Sequence, residues 1–301
     1  MSQPSHIFIV GLSRTGTTLT RTILDSSDYI GLGGEAMYFG DKRWLGLGER
    51  AGFRHKFARI GNLDTDAGFA RIVDYIYNLP QDNFWSKLAK RIDRDEFTRR
   101  FLATDRSERA LLDLAMAVYA GDKPIRGEKT PANLYHVPEL FEWFPDARIL
   151  HTFRDPRAVY ISNKRKYEQR ALPALSRLAR RAKLFFELYA SLDVVLAWLR
   201  AIRLHREYQQ KYPKQYYLSK FEDLILEPRA SLEKICHFID VPFAQCMLDQ
   251  LVLNSSFMPK RQRAGFDPST VNRWRQYMHP LVHRWFLLWC QPKLIEFGYA
   301  V

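Results

Sequence analysis

The chain has few cysteines: three in 301 residues, at Cys236, Cys246 and Cys290, an odd number with no C-x-x-C spacing. That argues against a disulfide framework or a zinc site and fits a reducing compartment. Long apolar runs are also missing. The longest candidate, Leu188 to Leu199, is interrupted by Asp193 and falls short of the roughly 20 apolar residues needed to cross a bilayer. The opening MSQPSHIFIV has no basic stretch ahead of an apolar core, so it reads as a strand rather than a leader. A soluble, cytoplasmic protein is expected. No low-complexity tract, repeat or linker appears, and a 47% hydrophobic, 26% charged composition excludes disorder.

Acidic residues are in deficit, 33 against 46 Lys plus Arg, a net charge of +13. The excess is concentrated: Arg148 to Arg181 holds ten basic residues and two acids, and Pro259 to Arg275 holds five and one. Charge gathered in two segments points to an anionic ligand or surface. Arg177, Arg180 and Arg181 also suit the solvated face of a long helix. Nucleic acid is not expected, since no zinc finger, RNP-type aromatic motif or compact basic arm is present. A membrane surface is conceivable but not expected.

Strand and helix patterns alternate. Strands are expected at His6–Val10, Pro124–Gly127, Ala147–Phe153 and Gln215–Lys220, and a short apolar run lies near Tyr29–Leu32. Helices are expected from about Thr17 to Ser27, Asp64 to Ala120, Asn133 to Phe144, after Pro156, from Pro173 to Tyr212, and from Leu281 to Phe297. The fold class is α/β, a central parallel sheet flanked by helices. One domain over 1–301 is expected, with 40–122 as a helical insertion.

Between the first strand and helix lies GLSRTGTT, residues 11–18. Glycines that let backbone N–H groups approach oxygens, followed by a helix N-terminus, suit a phosphate. The spacing mimics a Walker A loop, but Thr17 stands where a nucleoside-triphosphate loop carries Lys, and no clear strand-terminal acid for Mg²⁺ follows. The cation is Arg14, inside the loop. A P-loop kinase or NTPase therefore remains an alternative, as does a non-catalytic anion or membrane-surface binder. A second motif, RDPRAVYIS, sets Arg154 at a strand end and Ser162 eight residues on. Ligands of open α/β sheets lie outside the carboxyl ends of the strands, so Arg154 is expected on the same rim as the loop.

Together these segments resemble the sulfotransferases that use 3′-phosphoadenosine 5′-phosphosulfate (PAPS), whose fold is P-loop-like. LSRTGTT resembles the family's 5′-phosphosulfate loop and RDPRAVYIS its 3′-phosphate motif. KFEDLILEPRASLEKICHFIDVPF (220–243) and NRWRQYM (272–278) resemble later family segments, in family order. The resemblance implies that Arg14, Thr15, Gly16, Thr17 and Thr18 cradle the 5′-phosphosulfate and that Arg154 and Ser162 hold the 3′-phosphate, with Arg273 and Arg275 as weaker candidates. It also implies transfer of the sulfuryl group to a hydroxyl, less readily an amine, of a small-molecule, lipid or carbohydrate acceptor. Arg14 and Lys129 would stabilise the developing charge without a metal. Pro131 stands where cytosolic members carry the histidine base. Glu35 matches the glutamate base of the membrane-bound and many bacterial branches. Phe221 replaces the Tyr that commonly precedes Glu-Asp. Oligomeric state is not legible.

Overall fold

HIFIVG, strand β1 (His6–Gly11), is buried at every position, as a strand must be when its sheet is covered on both faces. Phe8 and Val10 join a core on one face, while Ile7 and Ile9 join another with Leu150, Leu224 and Leu232. The computed structural model describes residues 5–41, 50–170, 183–249, 251–252, 263–264 and 266–301.

The central sheet has five parallel strands in the order β2-β5-β1-β6-β7: β2 (Ile30–Gly33), β5 (Ile125–Lys129), β6 (Arg148–Phe153) and β7 (Tyr216–Lys220) around β1. A small antiparallel pair, β3 (Gly40–Asp41) and β4 (Arg50–Ala51), lies between β2 and β5 in the chain. All four expected strands are present, with ends moved by a residue or two, and the apolar run near Tyr29 supplies the fifth, β2.

Helix α1 (Thr17–Asp25) follows β1. Helices α2 (Phe53–Ile60), α3 (Asp66–Tyr77), α4 (Phe84–Leu88), α5 (Arg94–Leu102) and α6 (Glu108–Ala120) lie between β2 and β5. The stretch from Asp64 to Ala120 is thus four helices. Each opens on its own cap: Thr65, Asn83, Asp93 and Ser107 accept backbone N–H groups of the following first turn. Phe53, Phe57 and Trp85 are core residues, and Trp44 lies outside the described residues.

The helix expected from Asn133 begins instead as a 3₁₀ turn, Pro131–His136, because Pro131 follows the strand closely and Asn133 bonds back to the Thr130 carbonyl; α7 (Val137–Trp143) continues it. Then come α8 (Pro156–Arg170), α9 (Lys183–Lys211), α10 (Phe221–Leu226), α11 (Pro228–Phe238), α12 (Ser269–Asn272) and α13 (Pro280–Glu296). Arg177, Arg180, Arg181 and the first part of the helix expected from Pro173 lie outside the described residues. Among the described residues no helix is long and apolar enough to cross a membrane.

Helix α6 approaches β2 so closely that a Cβ on Gly31 would fall 2.3 Å from the Ala120 Cα. Gly31→Ala is therefore expected to destabilise the fold by about 1–3 kcal/mol through overpacking, read as a lower urea midpoint at unchanged slope.

Candidate active site

The five strands end side by side. Gly33 pairs with Glu128, Ile9 with Lys129, Gly11 with Thr152 and Phe153 with Lys220. The residues at and just beyond those ends therefore share one rim: Glu35, Lys129, the 12–16 loop, Arg154 and Phe221. Such a carboxyl edge is where open parallel sheets bind ligands.

The loop after β1 has an unusual backbone. Gly11, Arg14 and Gly16 all have positive φ, at 148°, 76° and 96°, a backbone pattern that suits an anion-binding loop. Gly16 is obligatory for a second reason, since a Cβ there would fall 2.6 Å from the Phe221 ring. The Thr15 hydroxyl faces inward, donating to the Leu12 carbonyl at 2.7 Å and lying 2.8 Å from the Thr152 hydroxyl, so it secures the loop from below. Thr17 starts α1 with a buried side chain, and Thr18 is exposed.

Arg14 and Arg154 meet. Arg154 Nη1 donates to the Arg14 carbonyl at 3.1 Å and Nη2 to the Thr270 carbonyl at 3.2 Å. Arg14 Nε donates to Ser162 Oγ at 2.8 Å, so the loop's cation lies against the second motif's serine. The Arg154 guanidinium carbon is 3.9 Å from the centroid of the Phe221 ring, a stacked cation–π contact. Its Nε is buried and has no hydrogen-bond partner among the described residues. Withdrawal from water lowers the Arg154 pKa to about 10, with Glu222 and Asp155 opposing that shift and Arg14 adding to it. The group stays cationic at neutral pH.

On the other side of β1, Lys129 Nζ donates to Glu35 Oε1 at 2.5 Å. Lys129 is buried and Glu35 half exposed. Two of the expected catalytic residues are thus paired with each other. Arg273 is bound to Asp267 and Ser269, at 3.0 and 2.6 Å, while Arg275 is exposed and lies over the Trp274 ring. Their short segment packs against α8.

The sequence profile of the Sulfotransferase family matches residues 4–245. The chain belongs to the sulfotransferase family. The sulfotransferase domain of the olefin synthase from Synechococcus PCC 7002 has a similar fold, with a TM-score of 0.56 at 17% identity over 100% of this chain and 97% of that one. The sulfotransferase domain from the curacin biosynthetic pathway gives 0.54 at 15%, covering 100% of both chains. An uncharacterized protein from Aquifex aeolicus (strain VF5) is 25% identical over 283 residues, covering 90% of this chain. The chain spans 30% of the length of that relative.

One residue at this rim drew no attention in the sequence. Glu128 reads as an ordinary strand residue, yet it is buried and accepts from Ala36 N, Thr130 Oγ1 and Asn133 Nδ2. It thereby ties the segment carrying Glu35 to the end of β5. Asp155 and Arg157 form a buried ion pair at 2.8 Å, so part of the basic segment faces inward. The pair at His279 and His283 serves structure: His279 caps α13, and His283 lies 3.3 Å from Arg157.

Burial raises the Glu128 pKa to about 7, an effect its hydrogen bonds and Lys129 offset in part and Glu35 reinforces. A carboxyl with a folded pKa above its unfolded value stabilises the fold at low pH and loses that contribution as pH rises. The stability of the wild type relative to Glu128→Gln is therefore expected to fall by about 3 kcal/mol as pH rises from 4.5 through 7. Chemical denaturation across that range measures it, and a pH-independent difference would reject the raised pKa.

Proposed function

We infer that the chain is a PAPS-dependent sulfotransferase that moves the sulfuryl group to a hydroxyl, less readily an amine, of a small-molecule, lipid or carbohydrate acceptor. The observation that carries this reading is the contact between Arg14 and Arg154, which draws the loop and the second motif into one cationic rim. A donor with anionic groups at both ends of an adenosine needs such a rim. The residues fit it: the positive-φ loop offers backbone N–H groups, and the buried Arg154 Nε has a donor to give. In this reading Arg14, Thr15, Gly16, Thr17 and Thr18 hold the 5′-phosphosulfate. Arg154 and Ser162 hold the 3′-phosphate, with Arg273 and Arg275 as outer contributors.

Sulfuryl transfer resembles phosphoryl transfer, an in-line displacement in which positioning and charge neutralisation dominate. Glu35 accepts the proton of the acceptor hydroxyl as that oxygen bonds to sulfur. Arg14, Lys129 and the loop N–H groups take up the charge left on the bridging phosphate oxygen as its bond to sulfur breaks. The acceptor approaches from the side of the 40–122 helices, which follow Glu35 in the chain.

The kinase or NTPase reading is weaker. It needs a free carboxylate near the loop for a magnesium ion. Asp155 is clamped by Arg157, and Glu128 is held in three hydrogen bonds.

Glu35→Gln is expected to lower kcat by about 10²–10⁴-fold with labelled PAPS and an acceptor panel, while affinity for the product nucleotide 3′-phosphoadenosine 5′-phosphate (PAP) is kept. Arg154→Ala is expected to weaken PAP binding by calorimetry at least about tenfold, as loss of a charged hydrogen bond implies. Absence of both transfer and PAP binding in the wild type would overturn the reading. Mg²⁺-dependent ATP binding would favour the kinase. Tight binding to anionic vesicles, unaffected by PAP, would favour a surface binder.

A further inference from the structure

Two consecutive residues hold Arg154 from two directions. The register that pairs Phe153 with Lys220 sets the residues following each strand side by side. Phe221 then lies under the Arg154 guanidinium, and Glu222 Oε1 accepts the Asp155 N–H at 3.0 Å. The carbonyl of the same peptide unit, that of Arg154, accepts Trp198 Nε1 at 3.1 Å. Both hydrogen-bonding groups of the 154–155 peptide are thus held by side chains.

The grip extends to residues 299 and 300. The Tyr299 hydroxyl donates to the other Glu222 oxygen at 3.1 Å. Arg157 Nη2 donates to the Ala300 carbonyl at 2.5 Å while the same guanidinium clamps the Asp155 carboxylate. Glu222, Asp155, Arg157 and Tyr299 are all buried. Replacing Glu222 alone by an apolar residue leaves the Asp155 N–H and the Tyr299 hydroxyl without their acceptor. Glu222 therefore fixes the orientation of the 154–155 peptide as well as satisfying two buried donors.

We propose that Glu222 is a positioning residue, which with Trp198 and Tyr299 fixes the 154–155 peptide and so aims the Arg154 guanidinium at the phosphate it binds. The proposal rests on the nucleotide reading above. Glu222→Gln keeps an acceptor for Asp155 and an amide for the Tyr299 hydroxyl, whereas Glu222→Leu keeps only the shape. By calorimetry and initial rates, Glu222→Leu is expected to weaken PAP affinity about tenfold, with kcat at saturating PAPS unchanged. Glu222→Gln is expected to restore the wild-type affinity. Should Glu222→Leu not fold, Tyr299→Phe reads the same contact with a smaller loss. Wild-type affinity in Glu222→Leu, or equal losses in the leucine and glutamine variants, would overturn the proposal.

The two readings fail separately. A wild type that binds no PAP removes the nucleotide reading. The positioning claim is then decided by the Arg154 Nε–H resonance in ¹⁵N spectra, assigned through its loss in Arg154→Lys. It is expected to shift and exchange faster with water in Glu222→Leu and to stay put in Glu222→Gln. An unmoved resonance in both would overturn it.

Discussion

One guanidinium, that of Arg154, is held at the edge of the sheet against the backbone of the loop that carries a second cation, Arg14, and much of the surrounding structure serves that contact. Arg154 reaches the Arg14 carbonyl, stacks on Phe221 and donates to Thr270, while Arg14 reaches Ser162. Backbone carbonyls, an aromatic face and a hydroxyl take up several of these donors, and the buried carboxylates Asp155 and Glu222 are hydrogen-bonded to Arg157 and to the Asp155 N–H. Cationic side chains gathered at one rim attract an anion arriving from solvent.

The sheet makes the arrangement possible. Parallel strands in the order β2-β5-β1-β6-β7 end at one edge, so residues more than a hundred positions apart become neighbours. β1 sits centrally and its loop separates two chemistries. The Glu35–Lys129 pair lies on the β5 side, and the Arg154 turn on the β6 side. In the proposed reaction these are the proton-accepting side and the nucleotide-holding side.

Much of this was legible in the sequence because its signals are local. An all-apolar strand, a glycine turn and a helix start identify β1, its loop and α1, and Arg154 announces itself by following a buried strand ahead of a helix-starting proline. The donor came from a resemblance, not from any pattern. What stayed hidden was set by tertiary pairing. The contact of Ser162 with Arg14 is one such relation, fixed by how α8 lies against the loop. Glu128 and Glu222 look like ordinary acids until burial turns them into struts. The division of 64–120 into four helices followed from caps whose spacing was in plain view, but the hydrophobic periodicity had masked them.

The claim that Arg14 and Arg154 grip opposite ends of one adenosine nucleotide is tested most directly by comparing two ligands that differ only at the far end. Calorimetric titration with PAP and with adenosine 5′-monophosphate isolates the 3′-phosphate. The account predicts that PAP binds at least about tenfold more tightly, the scale of one charge-assisted hydrogen-bonded contact. Equal affinities for the two nucleotides would contradict it.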